Sequence, residues 1–467
     1  MMLRGLRSPK VWATCSLLMI SAQAQSADLS EIYQLALEND ASYQIAKLNH
    51  EANTLNLPLA QTAFRPSVSA SGSLGRMLAN PTGVTTTEPA NSLSMNLGLV
   101  IYDKSERIEV DQAKLNVASS QLALENAKHD LILRVASRYF SLLAALDQRE
   151  VARVQKAAID RQMELADERL EVGLGTKTDV FDAKARLQQA ITDEIKAQNL
   201  INNNVALLTE MIGRDPGELR PLAHDAPLEL PEPNNVDRWV EQAMQNNTEL
   251  KIQALNLEVA KVEIEKKKSV RTPQVSIGAS HSWNESGVAG VTSDSSTTAV
   301  RLNFSVPLYS GGAMSIAEEK AKAQHKLAEQ VFEQAQRQAK TITISEFLSV
   351  NSGLNQANAL SEAIVAGENA LVAKEEGFSA GLTTNIDVLD AQRDLSQSQK
   401  NYLQARYDYI LSMLQLERVT GQLDEDDIGR INNWLGERAK LTWQPKIDPA
   451  FVDTIPELHQ ELYAINH

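Results

Sequence analysis

Two aspartates three positions apart are the first residues in this sequence whose types and spacing suggest chemistry. Asp387 and Asp390 lie in the stretch GLTTNIDVLDAQRDL, residues 381–395. Residues three apart share one face of a helix, so the two carboxylates could act together. A carboxylate pair can attract cations, and it can serve general acid–base catalysis where a pocket encloses it. The ordinary alternative is a solvated helix face.

Helix capping explains one of the two aspartates. Thr384 and Asp387 have the T-x-x-D spacing of a capping box, in which each side chain accepts a hydrogen bond from the backbone N–H of the other residue. An acidic residue in the first turn also suits the helix dipole. Asp390 lies one turn deeper, so capping gives no reason for it.

The same arrangement occurs earlier in the chain, in GLGTKTDVFDAKARL, residues 173–187. Thr176 and Asp179 form the matching box, and Asp182 follows three residues later. Three further pairs of stretches match at an offset of 207 positions: residues 36–49 with 243–256, 64–73 with 271–280, and 99–103 with 306–310. Such matches at nearly one offset predict a tandem duplication.

The duplication divides the chain into five parts. They are a signal peptide at 1–24, a first repeat at 25–212, a proline-rich linker at 213–238, a second repeat at 239–421 and a C-terminal tail at 422–467. Each repeat is predicted to contain a helix, two strands and long helices. Five prolines between residues 213 and 237 cannot continue a helix, which is why this part is a linker.

The first 24 residues have the pattern of a secretory signal. A basic start precedes a short apolar run, and Ala-Gln-Ala at 22–24 fits a cleavage site. Cys15 lies in the apolar run, and its surroundings do not match a lipoprotein signal, so no lipid anchor is predicted. Because Cys15 is the only cysteine, no disulfide is expected in the mature chain.

Composition argues against two functional classes. The net charge of −15 argues against a nucleic-acid partner, because an acidic protein repels the phosphate backbone. The seven histidines are scattered, and no phosphate-binding loop or nucleophile motif is present. We therefore predict that the protein is not an enzyme and has neither a cofactor nor a bound metal.

Period-two alternation predicts four strands, at 64–78, 92–102, 271–284 and 297–308. Apolar residues alternate with Ser, Asn and Gly, and the polar positions carry little charge. A half-buried sheet of a soluble domain and a membrane barrel both give this pattern, and the scarcity of charge favours the barrel. Four strands cannot close a wide barrel, and lipid tolerates no open edge. A barrel would therefore need several chains, and three chains would supply twelve strands.

Long coiled coils are predicted between these strands and the aspartate stretches. No Gly or Pro occurs over the 74 residues from Leu99 to Val172. After Asp387, larger residues recur every seven positions with small residues on the second seam, which is coiled-coil spacing that lets helices approach closely. The larger residues are Val388, Leu395, Tyr402, Tyr409 and Leu416.

These features resemble the TolC family of outer-membrane efflux proteins. The most specific parts are FSVPLYSGG at 304–312, FRPSVSASG at 64–72, and the aspartate stretch. The similarity is greater to members that lack a lipid-attachment cysteine. It implies an α+β membrane protein: a homotrimeric 12-stranded outer-membrane β-barrel, four strands per chain, continuous with a long periplasmic α-helical coiled-coil barrel. Residues 213–238 and the segment after 421 would form its equatorial region.

The resemblance also implies a function and partners. Such a channel in the Gram-negative outer membrane exports drugs, bile salts, dyes or secreted proteins. It works with a periplasmic adaptor protein and an inner-membrane RND, ABC or MFS transporter, and its barrel contacts outer-membrane lipid. A soluble periplasmic coiled-coil scaffold or adaptor is the alternative that the coiled coils alone leave open.

By the same resemblance, Asp387 and Asp390 ring the narrow periplasmic entrance of the tunnel, where carboxylates from three chains would attract cations. Like-charge repulsion would raise their pKa values. The match is less direct for Asp179 and Asp182. The turns at Gly173–Leu174 and Gly381–Leu382 would dock the adaptor, although glycine in a turn needs no function to explain it.

One departure from the family concerns the latch of the closed state. The family uses a tyrosine and an arginine where this chain has Phe378 and Thr383, so the hydroxyl and the charge are missing. Asp179, which matches one of their partners, is expected to lose both contacts. Lys177, Lys184 or Arg393 could substitute for them.

Overall fold

A computed structural model describes residues 27–79, 85–288 and 291–436. The predicted signal peptide at 1–24 and the tail beyond residue 436 lie outside the described residues. The first half of the chain contains α1 (Leu29–Asn39), α2 (Ala41–Thr54), α3 (Asn56–Gln61), β1 (Ser67–Ser73), β2 (Arg76–Ala79), β3 (Thr86–Tyr102), α4 (Lys104–Glu171) and α5 (Lys177–Ile212).

The second half repeats this order. It contains α6 (Val236–Asn246), α7 (Thr248–Ser269), β4 (Gln274–Val288), β5 (Val291–Ser305), α8 (Ala313–Ser379) and α9 (Asn385–Val419), followed by the short α10 (Glu425–Asn432). Two short helices, strands, one very long helix and a second long helix thus occur in each half.

The strands form one antiparallel sheet in the order β1-β3-β4-β5, with β2 also on β3. Ser73 lies opposite Ser92 and Arg76 lies opposite Pro89, so β1 and β2 are one strand in one register, interrupted at residues 74 and 75. The pairing of β3 with β4 joins the two halves of the chain. The outer edges of β1 and β5 have no partner strand within the described part of the chain.

The two faces of the sheet differ as the alternation predicts. One face carries large apolar side chains that are exposed in the single chain: Val68, Leu93, Met95, Leu97, Val300, Leu302 and Phe304. On the other face, hydroxyl groups pair across strands, with 2.8 Å between the Oγ atoms of Ser71 and Ser94 and of Ser73 and Ser92. We call this second surface the hydroxyl face.

The helices α4 and α8 contain 68 and 67 residues, so each is about 100 Å long at about 1.5 Å per residue. The short turns after them lead into α5 and α9, which pack back along α4 and α8 as antiparallel hairpins. No helix in residues 27–79, 85–288 or 291–436 is both long and apolar enough to cross a lipid bilayer.

The main apolar core lies at the opposite end of α5 and α9 from these turns. Tyr139, Phe140 and Tyr409 are fully buried there. The proline-rich segment packs against them, because the Tyr139 hydroxyl donates to the Arg220 carbonyl over 2.7 Å and the Tyr409 hydroxyl donates to the Glu229 carbonyl over 2.5 Å. The five prolines therefore sit in a segment that is fixed by side chains of α4 and α9.

A buried carboxyl group fixes α10 to this core. Glu417, near the end of α9, accepts a hydrogen bond from Arg430 of α10 over 2.5 Å, and its Oε2 atom has no partner among the described residues. Burial raises the pKa of Glu417 to about 7, and the neighbouring charge of Asp427 adds to the effect.

This pKa predicts a pH dependence of stability. An unfolded glutamate titrates near its ordinary pKa of 4.5, so the folded chain binds the proton more tightly, and folding stability falls as the pH rises from about 4.5 to about 7. Glu417→Gln should remove this loss. Its thermal midpoint, relative to that of the wild type, should rise between about pH 5 and about pH 8. Asp426→Asn, an exposed change on α10, should not show this trend, and a constant difference for Glu417→Gln would contradict the assignment.

Candidate functional site

The site lies at the two turns that end the helical hairpins. Gly173 and Gly381 both have left-handed backbone, with φ values of 76° and 75°, and glycine adopts this conformation without strain. The backbone N–H of the next residue in each turn donates to a carbonyl of the long helix. Leu174 donates to the Arg169 carbonyl over 2.8 Å, and Leu382 donates to the Gly377 carbonyl over 2.7 Å. The side chains of Leu174 and Leu382 are 75% and 83% exposed, so each turn presents a leucine to its surroundings.

Both predicted capping boxes are confirmed. In the second hairpin, the Thr384 hydroxyl donates to Asp387 Oδ2 over 2.6 Å, and the Thr384 N–H donates to the same oxygen over 3.0 Å. Thr176 and Asp179 make the same two hydrogen bonds in the first hairpin, over 2.7 and 3.0 Å. Capping thus holds Asp387 and Asp179 in the first turns of α9 and α5.

Asp387 has one further partner, the ammonium group of Lys374 on α8, at 3.4 Å. The two hydrogen bonds from Thr384, and then the one from Lys374, lower the pKa of Asp387 to about 2. The rise in pKa that we expected concerned repulsion between chains. Within one chain the effect is opposite, and Asp387 is ionised at every physiological pH.

Asp390 faces the other hairpin. Its Oδ1 atom lies 2.9 Å from Arg186 of α5 and 3.2 Å from Arg393, one turn further along α9. Arg393 also contacts Asp394 at 2.8 Å. Asp390 is therefore paired both along its own helix and across to the first hairpin, which capping could not have predicted.

The aspartates of the first hairpin are less engaged. Asp179 makes only the hydrogen bonds of its capping box, and Asp182 has no hydrogen bond or ion pair within residues 27–79, 85–288 and 291–436. Lys177 and Lys184, which we named as substitutes for the missing latch, likewise contact no acceptor in that part of the chain. The two hairpins thus share a backbone design and differ in their charge pairing.

Phe378 contacts the first hairpin in spite of lacking a hydroxyl. The guanidinium carbon of Arg169 lies 4.4 Å from the centre of the Phe378 ring, and Arg169 Nη1 donates to the Phe378 carbonyl over 3.1 Å. Thr383 stays within its own hairpin, where its hydroxyl donates to the Lys374 carbonyl over 2.9 Å. Phe378 is therefore linked to the first hairpin through Arg169, whereas Thr383 makes no hydrogen bond to the first hairpin within the described ranges.

A third link joins the hairpins. Gln162 Nε2 on α4 donates to Asn385 Oδ1 over 2.7 Å, and Asn385 is only 1% exposed. No motif in the sequence marks Gln162, Arg169 or Arg186 as part of this site. One signal could have found two of them: the linked residues lie 204 positions apart for Arg186 and Asp390 and 209 apart for Arg169 and Phe378, close to the offset between the repeats.

No group of three or more His, Cys, Asp or Glu side chains that could hold a metal ion occurs in the described ranges. The site of a single chain thus consists of the aspartates of the two hairpins, the three contacts between the hairpins and the two exposed leucines.

Comparison with known proteins gives consistent matches over nearly the whole chain. The model of a family described as "Outer membrane efflux protein" matches residues 32–214 and 239–422. The Outer membrane protein TolC of Vibrio cholerae is 29% identical over 88% of this chain and 95% of its own. The Alkaline protease secretion protein AprF of Pseudomonas aeruginosa is 27% identical over 88% of each chain.

Solved structures share the fold. The chain aligns with the channel protein CusC with a TM-score of 0.74 at 17% identity, over 84% of this chain and 92% of that one. It aligns with the outer membrane protein VceC of Vibrio cholerae with a TM-score of 0.69 at 18% identity, over 84% and 96%.

The capping boxes allow a test that compares the two hairpins. Thr384→Ala removes the cap of α9, and loss of such a cap costs about 1 kcal/mol, which should lower the hydrogen-exchange protection of the first amides of α9 roughly fivefold. Thr176→Ala should do the same at α5 and leave α9 unchanged. Equal loss in both hairpins from either substitution would show that the boxes do not act locally.

Proposed function

This chain belongs to the outer membrane efflux protein family, and from that premise we propose that three copies form a channel from the periplasm across the Gram-negative outer membrane. The channel exports small molecules such as drugs, bile salts and dyes, or secreted proteins. The curated relatives support both kinds of cargo, because one is named an antibiotic efflux pump outer membrane protein and another an alkaline protease secretion protein.

The sheet is the observation that carries this proposal. Its apolar face suits lipid, its hydroxyl face suits water, and the edges of β1 and β5 have no partner in the described chain. Unpaired backbone groups are costly in lipid, so each edge must pair with another chain. Three copies give twelve strands and a closed barrel. A soluble periplasmic scaffold, the alternative, gives no reason for an exposed face of Val300, Leu302 and Phe304.

The helices extend this barrel into the periplasm. Helices about 100 Å long would bring the turns at Leu174 and Leu382 close to the inner membrane. There the exposed leucines dock a periplasmic adaptor, which connects the channel to an inner-membrane RND, ABC or MFS transporter. The leucines suit this role because each is an apolar side chain exposed at a rigid turn.

Asp387 and Asp390 form the gate of the channel in this proposal. The carboxylates of three chains surround the narrow periplasmic end and bind cations. The contacts of Gln162, Arg169 and Arg186 with the second hairpin hold the closed state, in place of the latch that Phe378 and Thr383 cannot form. Asp179 and Asp182 add negative charge at the entrance.

The gate predicts a loss of cation block. In single-channel recordings, Mg²⁺ or La³⁺ added on the periplasmic side should block the wild type and should not block Asp387→Ala/Asp390→Ala, because both carboxylates are gone. Arg186→Ala is the matched control: it breaks the same link between hairpins and keeps both carboxylates. It should raise the conductance and retain the block. Unchanged block in the double variant would refute the gate assignment.

The docking surface predicts a loss of efflux without a loss of assembly. Leu382→Glu places a charge in the apolar contact with the adaptor, so drug resistance should fall to that of a deletion strain while trimers still reach the outer membrane. Gln397→Glu adds the same charge at an exposed position about four turns into the second hairpin and should leave resistance intact. Normal resistance in Leu382→Glu cells would show that the turn does not dock an adaptor.

A further inference from the structure

One charged side chain interrupts the hydroxyl face of the sheet. The pairing register puts Ser67 opposite Gly98, Gly98 opposite Gly278, and Gly278 opposite Arg301. Residues opposite one another project from the same face of a sheet. Ser67, the two glycines and Arg301 therefore form one row across the four strands, on the same face as the serine pairs.

The rest of the face around Arg301 is uncharged. The same face contains one such row at every second residue of β5 from 295 to 305. Apart from Arg301, the residues of these rows are Ser, Thr, Asn, Gln, Gly, Ala and Val: residues 67, 69, 71, 73, 92, 94, 96, 98, 100, 274, 276, 278, 280, 282, 284, 295, 297, 299, 303 and 305. The nearest carboxylates of β4 and β5, Glu285 and Asp294, lie opposite each other on the apolar side of the alternation. These rows thus contain no carboxylate that could balance the charge of Arg301.

Arg301 is also free to contact a ligand. The side chain is exposed and forms no ion pair with any residue of the described ranges, and its closest polar contact is Ser280 Oγ at 3.5 Å, the outer limit of a hydrogen bond. Gly278 leaves room beside it, since a Cβ atom there would meet only the Leu97 carbonyl at 3.6 Å and the Asn303 amide nitrogen at 4.0 Å, whereas a Cβ atom at Gly98 would lie 3.3 Å from Ser67 Oγ.

This arrangement has the chemistry of an anion site. A guanidinium group offers several N–H donors in a planar fork that matches a carboxylate, and it stays charged at every physiological pH. Neighbouring strands lie about 4.8 Å apart, so the open position over Gly278 gives a carboxylate room beside the guanidinium. The amide of Asn303 can contribute one more donor.

We propose that Arg301 binds anions within the barrel, so that three such sites make its interior favour carboxylate-bearing solutes over cations. This inference deepens the proposed function, on which it rests, by naming a class of exported substrate. The positive charge of Arg301 is opposite to that of the acidic entrance, so the barrel would favour anions and the periplasmic entrance would favour cations.

The test is ion selectivity. Purified channels in planar bilayers are given gradients of potassium chloride or potassium acetate of about 0.1 M, at which the Debye length is about 10 Å. Arg301→Gln should lower the permeability of chloride and of acetate relative to potassium roughly twofold, and less at higher salt. Arg301→Lys, which keeps the charge, should retain most of the chloride permeability. The acidic entrance is common to all variants, so it does not affect their differences.

The outcomes separate the two proposals. If the wild type forms no channels, the proposed function fails. If channels form and Arg301→Gln has the same permeability ratios as the wild type, the channel stands and the Arg301 site is refuted. If Arg301→Gln does not assemble, Asn303→Asp is measured instead. A carboxylate beside Arg301 should neutralise the guanidinium charge and lower the anion permeability. Unchanged anion permeability in Asn303→Asp would refute the site.

Discussion

The backbone edges of β1 and β5, which have no partner strand among the described residues, are the constraint on which the rest of the structure depends. A sheet with one apolar and one hydroxyl face cannot be buried in the core of its own chain, and its edges expose N–H and C=O groups that lipid cannot satisfy. The sheet therefore becomes stable in a membrane only when copies of the chain join edge to edge. In the proposed trimer, assembly of the barrel would also bring the long helices of the three copies together.

The duplication has its own consequence for the helical end. The pairing of β3 with β4 fixes the two halves side by side, and helices of 68 and 67 residues then carry both turns to nearly the same depth. Residues about one repeat apart can therefore meet across the hairpins, as Arg186 and Asp390 do at 2.9 Å. The contact is asymmetric, because its two members come from different positions within the repeat.

Much of this architecture follows from local rules that a sequence displays. Period-two alternation predicts the faces of the strands, and the T-x-x-D spacing predicts both caps, because each depends on residues a few positions apart. The partners of Phe378 and Asp390 depend instead on the rotation of one long helix against another, and no local sequence pattern predicts that rotation. The fixing of the proline-rich segment by Tyr139 and Tyr409 is equally non-local, and composition alone suggested only a linker.

In the proposed gate, the two aspartates have different electrostatic roles, since their partners differ. The cap holds the pKa of Asp387 at about 2, so its charge is permanent and does not depend on the other hairpin. Asp390 is balanced by Arg393 of its own helix and by Arg186, which belongs to the first hairpin. Separating the hairpins would remove the contact with Arg186 and leave Asp390 with Arg393 alone, so its charge would be less fully balanced. Opening and cation attraction are therefore coupled through Asp390, whereas Asp387 supplies a constant field in both states.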